Sequence, residues 1–359
     1  MSEVAVGKQR YDFLDVAKAV GIYLVILGHM VIFNWKEFRF IFAFHMPLFF
    51  VVAGFIWGGR REMPKWHDYI VRQIKHYLIP LLAVFVLSIL QCIILPLGEH
   101  DLKHLLSSDT LKDLYEGQYR FSFFGASWFL WCMFWSQLMY YGIQVLKRKC
   151  KLYIYILIWI LFVLLAVYAP DIFSFIPKYR RLPLKIDSAF MATVFMGVGH
   201  LLNRFYYKCK LDQKAMVRYI VASIMLVLGI PIVYFVSCKG NTYVNLCDVV
   251  YARPERYLIG SVFGSFMVIG ASILLEKIRI LQYIGQNTLV IFLCHSVFIN
   301  LAVSLTNRIL HLNLVPQYMN FDLVCIVLSI MVLTLSTAVA ALFGFGKKII
   351  RKAGSQNRK

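Results

Sequence analysis

Charge is what this sequence has least of. Only 16% of its 359 residues are charged and 60% are hydrophobic, whereas soluble domains carry about 25% charged residues. That excludes an ordinary water-soluble fold. Acidic groups are scarcest: 18 Asp and Glu stand against 38 Lys and Arg. The 8 cysteines form no C-x-x-C pair and have no histidine at zinc-ligand spacing, so no metal is expected. Cys92, Cys132, Cys294 and Cys325 lie in apolar runs and read as core packing. Cys238 and Cys247 share one outer loop, which leaves room for a disulfide in an oxidising compartment. No repeat, linker or low-complexity run divides the chain, so 1–359 reads as a single membrane domain with no soluble catalytic domain appended. The N-terminus lacks a short apolar core with a small-residue cleavage site, and the first span is expected to stay as an anchor.

Long apolar runs are what the chain has instead. Stretches of about 20 residues able to cross a hydrocarbon layer of about 30 Å fall at 14–33, 38–58, 77–97, 123–146, 152–170, 184–203, 219–236, 257–275, 287–305 and 322–345. This predicts an all-α polytopic membrane bundle of about ten transmembrane helices. Lys and Arg favour one set of alternating loops by roughly two to one, which puts both termini in the cytoplasm by the positive-inside rule. The net charge of +20 then belongs to basic loops and the tail Lys347-Lys348-Ile349-Ile350-Arg351-Lys352, lying against an anionic leaflet. Membrane lipid, and no nucleic acid, is the partner this pattern implies.

Asp15 to Trp57 holds ionisable groups where lipid should forbid them. An ionised group at mid-membrane costs roughly 2.5–3.5 kcal/mol, so such residues usually mark function. Asp15 and Lys18 sit one turn apart at the start of the first helix, where an ion pair is the plainer reading. His29 lies fifteen residues past Leu14, roughly 22 Å from the inner edge and about 8 Å from the outer one. The second span descends again, and His45 lies seven residues, about 10 Å, below that outer edge. Two imidazoles on adjacent antiparallel helices thus reach one level. Imidazole is the side chain whose ordinary pKa lies nearest neutrality, which suits a general base. Pro47 lacks an N–H and should open the second helix near His45, freeing the carbonyl of Ala43. Gly54 with Gly58, and Gly260 with Gly264, are spaced to let other helices approach closely.

The loops carry further candidates. Arg60, Arg61, Arg72 and Lys75 form the densest basic cluster before the tail. The loop 60–76 either lies on headgroups as an amphipathic segment or receives cofactor phosphates. The outer segment 98–122 has helical leucine spacing and is expected to cap the outer mouth. Trp128 opens an aromatic cluster that suits an interfacial belt or a sugar face. Lys178, Arg180 and Arg181 put positive charge on the outer side, where it would attract an anionic glycan or phosphate. His200 and His295 read as lone polar groups in their spans. Asp187 and Asp322 are acidic groups at or near span ends.

Phe13-Leu14-Asp15-Val16-Ala17-Lys18, Leu27-Gly28-His29 and Phe44-His45-Met46-Pro47-Leu48-Phe49-Phe50 with Ala53-Gly54-Phe55 resemble the membrane acyltransferase 3 family. The likeness is nearest to its stand-alone fucose 4-O-acetylase-like branch of glycan O-acetyltransferases. Trp128-Phe129-Leu130, Ile284-Gly285-Gln286-Asn287-Thr288-Leu289 and Leu293-Cys294-His295 are similar to weaker downstream landmarks. The resemblance implies acetyl-CoA as co-substrate donor, a glycan or lipid-linked sugar as acceptor, and the bacterial cytoplasmic membrane as location. It implies His29 and His45 as the catalytic pair. With it, Lys18, Arg60, Arg61, Arg72 and Lys75 are expected at the cofactor, and Asp15, Trp128, Arg180, Arg181 and His295 at the substrate. Many members have Arg in place of Lys18, and Lys keeps the charge but not the planar fork. Lys18 and His29 are eleven residues apart, about 16 Å along a helix, comparable with a pantetheine arm. His29 is the expected base. The rival class is a transporter or flippase, which predicts related halves, and no such similarity is visible. A non-catalytic scaffold would leave both histidines expendable.

Overall fold

The computed structural model describes residues 10–31, 35–94, 102–118, 125–173, 181–239, 244–315, 319 and 323–356. Lys178, Arg180 and Asp322 lie outside the described residues. The apolar runs fold into helices because lipid offers backbone groups no partner, so each run must satisfy its own. In order these are α1 (Asp12–Met30), α2 (Trp35–Phe42), α3 (His45–Gly58), α4 (Trp66–Gln73), α5 (Ile79–Ile94), α6 (Leu102–Leu105), α7 (Ser108–Glu116) and α8 (Trp128–Lys149). They continue with α9 (Leu152–Ile172), α10 (Ile186–Lys208), α11 (Ala215–Val233), α12 (Pro254–Leu274), α13 (Arg279–Gln286), α14 (Thr288–Leu310) and α15 (Leu323–Gln356). Among the described residues the strands are β1 (Val244–Asn245) and β2 (Val250–Tyr251), an antiparallel pair with Val244 opposite Tyr251. The protein is an all-α polytopic membrane protein.

Among the described residues, eight helical stretches are long and apolar enough to cross a membrane. The expected spans 123–146 and 184–203 fold as α8 and α10, of membrane length but more polar. Their polar residues face neighbouring helices rather than lipid: Ser136, Gln137 and Gln144 in α8, and Asp187, Ser188, Thr193 and Asn203 in α10, are all buried. The loop 60–76 is also corrected. From Trp66 it is helical, and α4 runs through a π-turn (Ile74–Leu78) into α5 as one continuous rod.

α1 and the α2–α3 pair form the centre, buried on most sides, while α9 and α11 turn most of their surface outward. Ile156, Leu157, Ile160, Leu161 and Leu164 of α9 are exposed, as a lipid-facing helix requires. Small residues set the central crossings. A Cβ on Gly54 would overlap the Met196 carbonyl of α10, and one on Gly199 would overlap the Val51 carbonyl of α3. Gly58 faces Asn203 in the same crossing. Gly285, at the end of α13, packs on the Asp15 carbonyl. Two stretches far apart in sequence, one around Asp15 and one around Gly285, therefore meet at the start of α1.

Candidate active site

The site begins with a missing hydrogen. Pro47 cannot donate to the carbonyl four residues back, so the carbonyl of Ala43 needs another partner. The Ser261 hydroxyl of α12 donates to it at 2.7 Å. Phe44 N–H turns back to the Ile41 carbonyl at 3.2 Å, α2 ends, and α3 restarts at His45. Gly264 leaves the room that the Phe44 side chain fills. Ser261→Ala is expected to cost about 1–3 kcal/mol, because the Ala43 oxygen is left buried and unpaired. Thermal unfolding in detergent reads this as a lowered midpoint, and an unchanged midpoint would deny the hydroxyl that role.

The break aims His45. Its Nδ1 lies 2.9 Å from the Ile41 carbonyl. A carbonyl only accepts, so Nδ1 carries the proton and Nε2 keeps its lone pair. His45 and His29 both line a cavity of about 340 Å³, together with Val25, Phe42, Met46, Gln118, Ala126, Trp128, Asn245, Leu246, Cys247, Asp248 and Phe292. Matched depth thus becomes a shared wall.

His295 is not a lone polar group. Its ring centroid lies 5.2 Å from that of His29, behind it and outside the cavity lining. The His295 Nδ1–H donates to the Phe292 carbonyl at 2.5 Å, and the Ser296 hydroxyl lies 3.3 Å from Nε2. The His295 ring thus packs against His29 and does not itself line the cavity. His200 also has a partner, the Tyr140 hydroxyl at 2.6 Å.

The other expected residues divide between the two ends of α1. Trp128 lines the cavity. Arg181 stands behind its wall, bonded to Asp187 at 3.1 Å, to Asp248 at 3.1 Å and to the Cys247 carbonyl at 2.7 Å. Burial opposes its charge, but the two carboxylates raise its pKa above the ordinary value. These bonds hold Arg181 in an ion cluster behind the wall, where sequence alone reads a free outer cation.

Asp15 lies at the far end of α1, bonded to Lys18 at 2.8 Å and to Arg10 at 2.9 Å, and does not line the cavity. The plainer reading of this pair as a helix-start ion pair is the one the structure places there. Arg60 stacks 4.3 Å from the Trp57 ring, and Arg60 and Arg72 lie 5.5 Å and 5.4 Å from the Tyr69 ring. Arg61 and Lys75 point outward.

Sequence reading missed the outer wall. β1, β2 and the turn between them bring Asn245, Cys247 and Asp248 over the histidines, and Gln118, just past α7, completes it. The Asn245 amide donates to Asp248 at 2.8 Å. Val249 holds φ +54°, a left-handed conformation costing roughly 1–2 kcal/mol for an L residue, as it closes this turn. The β-branched pair Val249-Val250 after Asn-Leu-Cys-Asp is the signal for this turn in the sequence. Among the described residues Cys238 and Cys247 form no disulfide: the Cys238 thiol donates to the Lys36 carbonyl, and Cys247 Sγ accepts from Gln118 in the cavity wall. Within 98–122 the described residues include the short helices α6 and α7, and the Tyr115 hydroxyl of α7 donates to the Arg181 carbonyl at 3.0 Å.

His29 and His45 thus line one cavity beneath a polar wall formed by Gln118, Asn245, Cys247 and Asp248. The chain belongs to the acyltransferase domain family, whose family model matches residues 11–343. It is 28% identical over 155 residues to nodulation protein NolL of Mesorhizobium japonicum, an overlap covering 40% of this chain and 38% of that protein. The match therefore spans about two-fifths of the relative's length. No solved structure matches the chain significantly.

Proposed function

We propose that this acyltransferase moves an acetyl group from cytosolic acetyl-CoA to a hydroxyl of an envelope polysaccharide or lipid-linked sugar, in the manner of the glycan O-acetylase branch. The observation that carries the reading is His45, held by the Ile41 carbonyl in the tautomer that leaves Nε2 free, in one cavity with His29. An oriented neutral imidazole beside a second imidazole is what transfer to a hydroxyl needs.

Lys18 and the Arg60 to Lys75 cluster take the nucleotide end of the donor at the cytosolic mouth. The thioester reaches the histidines at the other end of α1. The base role goes to His45 rather than His29, because its proton-bearing nitrogen is pinned. His45 Nε2 takes the proton of the acceptor hydroxyl as that oxygen attacks the thioester carbonyl. His29, braced by His295, donates to the oxyanion. The C–S bond then breaks, the sugar ester forms, and the CoA thiolate leaves and recovers the proton. Trp128 offers a flat face to the sugar.

The purified full-length protein, given acetyl-CoA and a panel of glycosides, should release free CoA thiol in step with ester formation on the sugar. Absence of both across the panel would sink the reading.

A further inference from the structure

The cavity's charge inventory says something about the acceptor that the family does not. Among the described residues its lining holds one carboxylate, Asp248, and no Lys or Arg. Two described cations, Arg181 and Lys185, are bonded to the back of the wall and do not line the cavity. Arg181 holds Asp187, Asp248 and the Cys247 carbonyl, and Lys185, fully buried, donates to that same carbonyl at 3.0 Å. Among the described residues that back the Cys247–Asp248 turn, Arg181 and Lys185 balance Asp187 and Asp248 in formal charge. A carboxylate or phosphate entering the cavity would lose water and meet no Lys or Arg among the described lining residues.

Hydrogen-bonding capacity points the same way. Gln118, buried to 5% exposure, spends its amide N–H on Cys247. Its carboxamide oxygen is buried without a hydrogen-bond partner, and an unmet acceptor in a binding wall calls for a donor. Asp248 adds another acceptor, 37% exposed along its side chain. The wall opposite the histidines thus asks for O–H groups, and Trp128 supplies the ring face on which a sugar stacks.

We infer that the sugar seated against Gln118 and Asp248 carries no negative charge, and that these two residues set the specificity against uronic acids and phosphorylated sugars. This rests on the transferase reading above. A lipid-linked acceptor fits only with its phosphates outside the cavity.

The test pairs methyl glycosides that differ only at C6: glucoside with glucuronide, and galactoside with galacturonide. Each is given with acetyl-CoA to the purified full-length protein, and sugar ester is measured by mass. The neutral member of each pair should be used about tenfold or more better in kcat/KM. Asp248→Asn should bring the members of a pair within about threefold, because it leaves the positive charge of Arg181 and Lys185 in excess beside the cavity. Gln118→Leu should lower use of the neutral sugar about tenfold with the KM for acetyl-CoA unchanged. Equal or better use of the uronides by the wild type would overturn the inference while leaving acyl transfer intact. Transfer to neither member of any pair, with no CoA released, would instead end the transferase reading and this inference with it. If either variant fails to accumulate, the wild-type comparison alone decides.

Discussion

Replacing His45 by alanine is expected to lower acetyl transfer at least about 100-fold, the usual contribution of a positioned general base, without unfolding the bundle. The imidazole lines a cavity, so truncation enlarges an existing space rather than opening a void in packed core. His45→Gln separates base from prop. Its amide N–H can still reach the Ile41 carbonyl that Nδ1 now holds at 2.9 Å, yet glutamine takes up no proton at neutral pH. It should be as inactive as the alanine variant while unfolding at the wild-type temperature. His29→Ala should lose about as much, by removal of an oxyanion donor worth roughly 10²–10³. Steady-state transfer rates beside thermal scans in detergent decide the matter. Transfer within threefold of wild type in His45→Gln would assign that imidazole to packing.

The second large effect lies in the frame. Gly54→Val is expected to destabilise by about 3 kcal/mol or more, at the upper end of overpacking penalties. Its Cβ would meet backbone, the Met196 carbonyl, which no rotamer change relieves. Gly199→Ala meets the Val51 carbonyl from the other side, so the two substitutions challenge one α3–α10 crossing from its two helices. Gly142 in α8 is the control, with nothing within 4 Å of an added Cβ. Gly142→Ala should stabilise by about 0.5–1 kcal/mol, because alanine loses less backbone freedom in a helix. Unfolding midpoints of the three variants should fall, fall and rise. A wild-type midpoint for Gly54→Val would mean that α3 and α10 stand further apart.

This crossing also shows how much of the fold was legible. Gly54 and Gly58 are marked by spacing alone, and so is the break at Pro47, because a missing N–H is a local property of the chain. Even the acceptor that Pro47 frees, the Ala43 carbonyl, follows from counting four residues back. The partner that takes it does not, since Ser261 is 218 residues away. The same division runs through the site. His29 and His45 share a level because rise per residue fixes depth along a span. His295 sits at mid-membrane by the same count, but its contact with His29 depends on the rotation of α14 about its own axis, which hydropathy does not encode.

Charge was the harder signal. Arg181 reads in sequence as a free outer cation, and in the fold Asp187 and Asp248 enclose it. Asp187 is six residues away and within local reach, whereas Asp248 arrives on a turn that only the tertiary fold brings over the cavity. α8 and α10 illustrate the converse case. Their buried Ser, Gln, Asp and Asn side chains dilute the apolar signal because these helices spend their surface on neighbouring protein rather than on lipid.

The account stands on a division of labour along α1, with donor charge met near Lys18 and chemistry done at His29 and His45. Sealed inside-out membrane vesicles test it directly, with labelled acetyl-CoA supplied outside, on the former cytosolic face, and a neutral methyl glycoside enclosed within. The account predicts labelled ester on the enclosed sugar, lost in His45→Gln vesicles of equal protein content. Label that reaches sugar only when donor and glycoside are on the same side would contradict it.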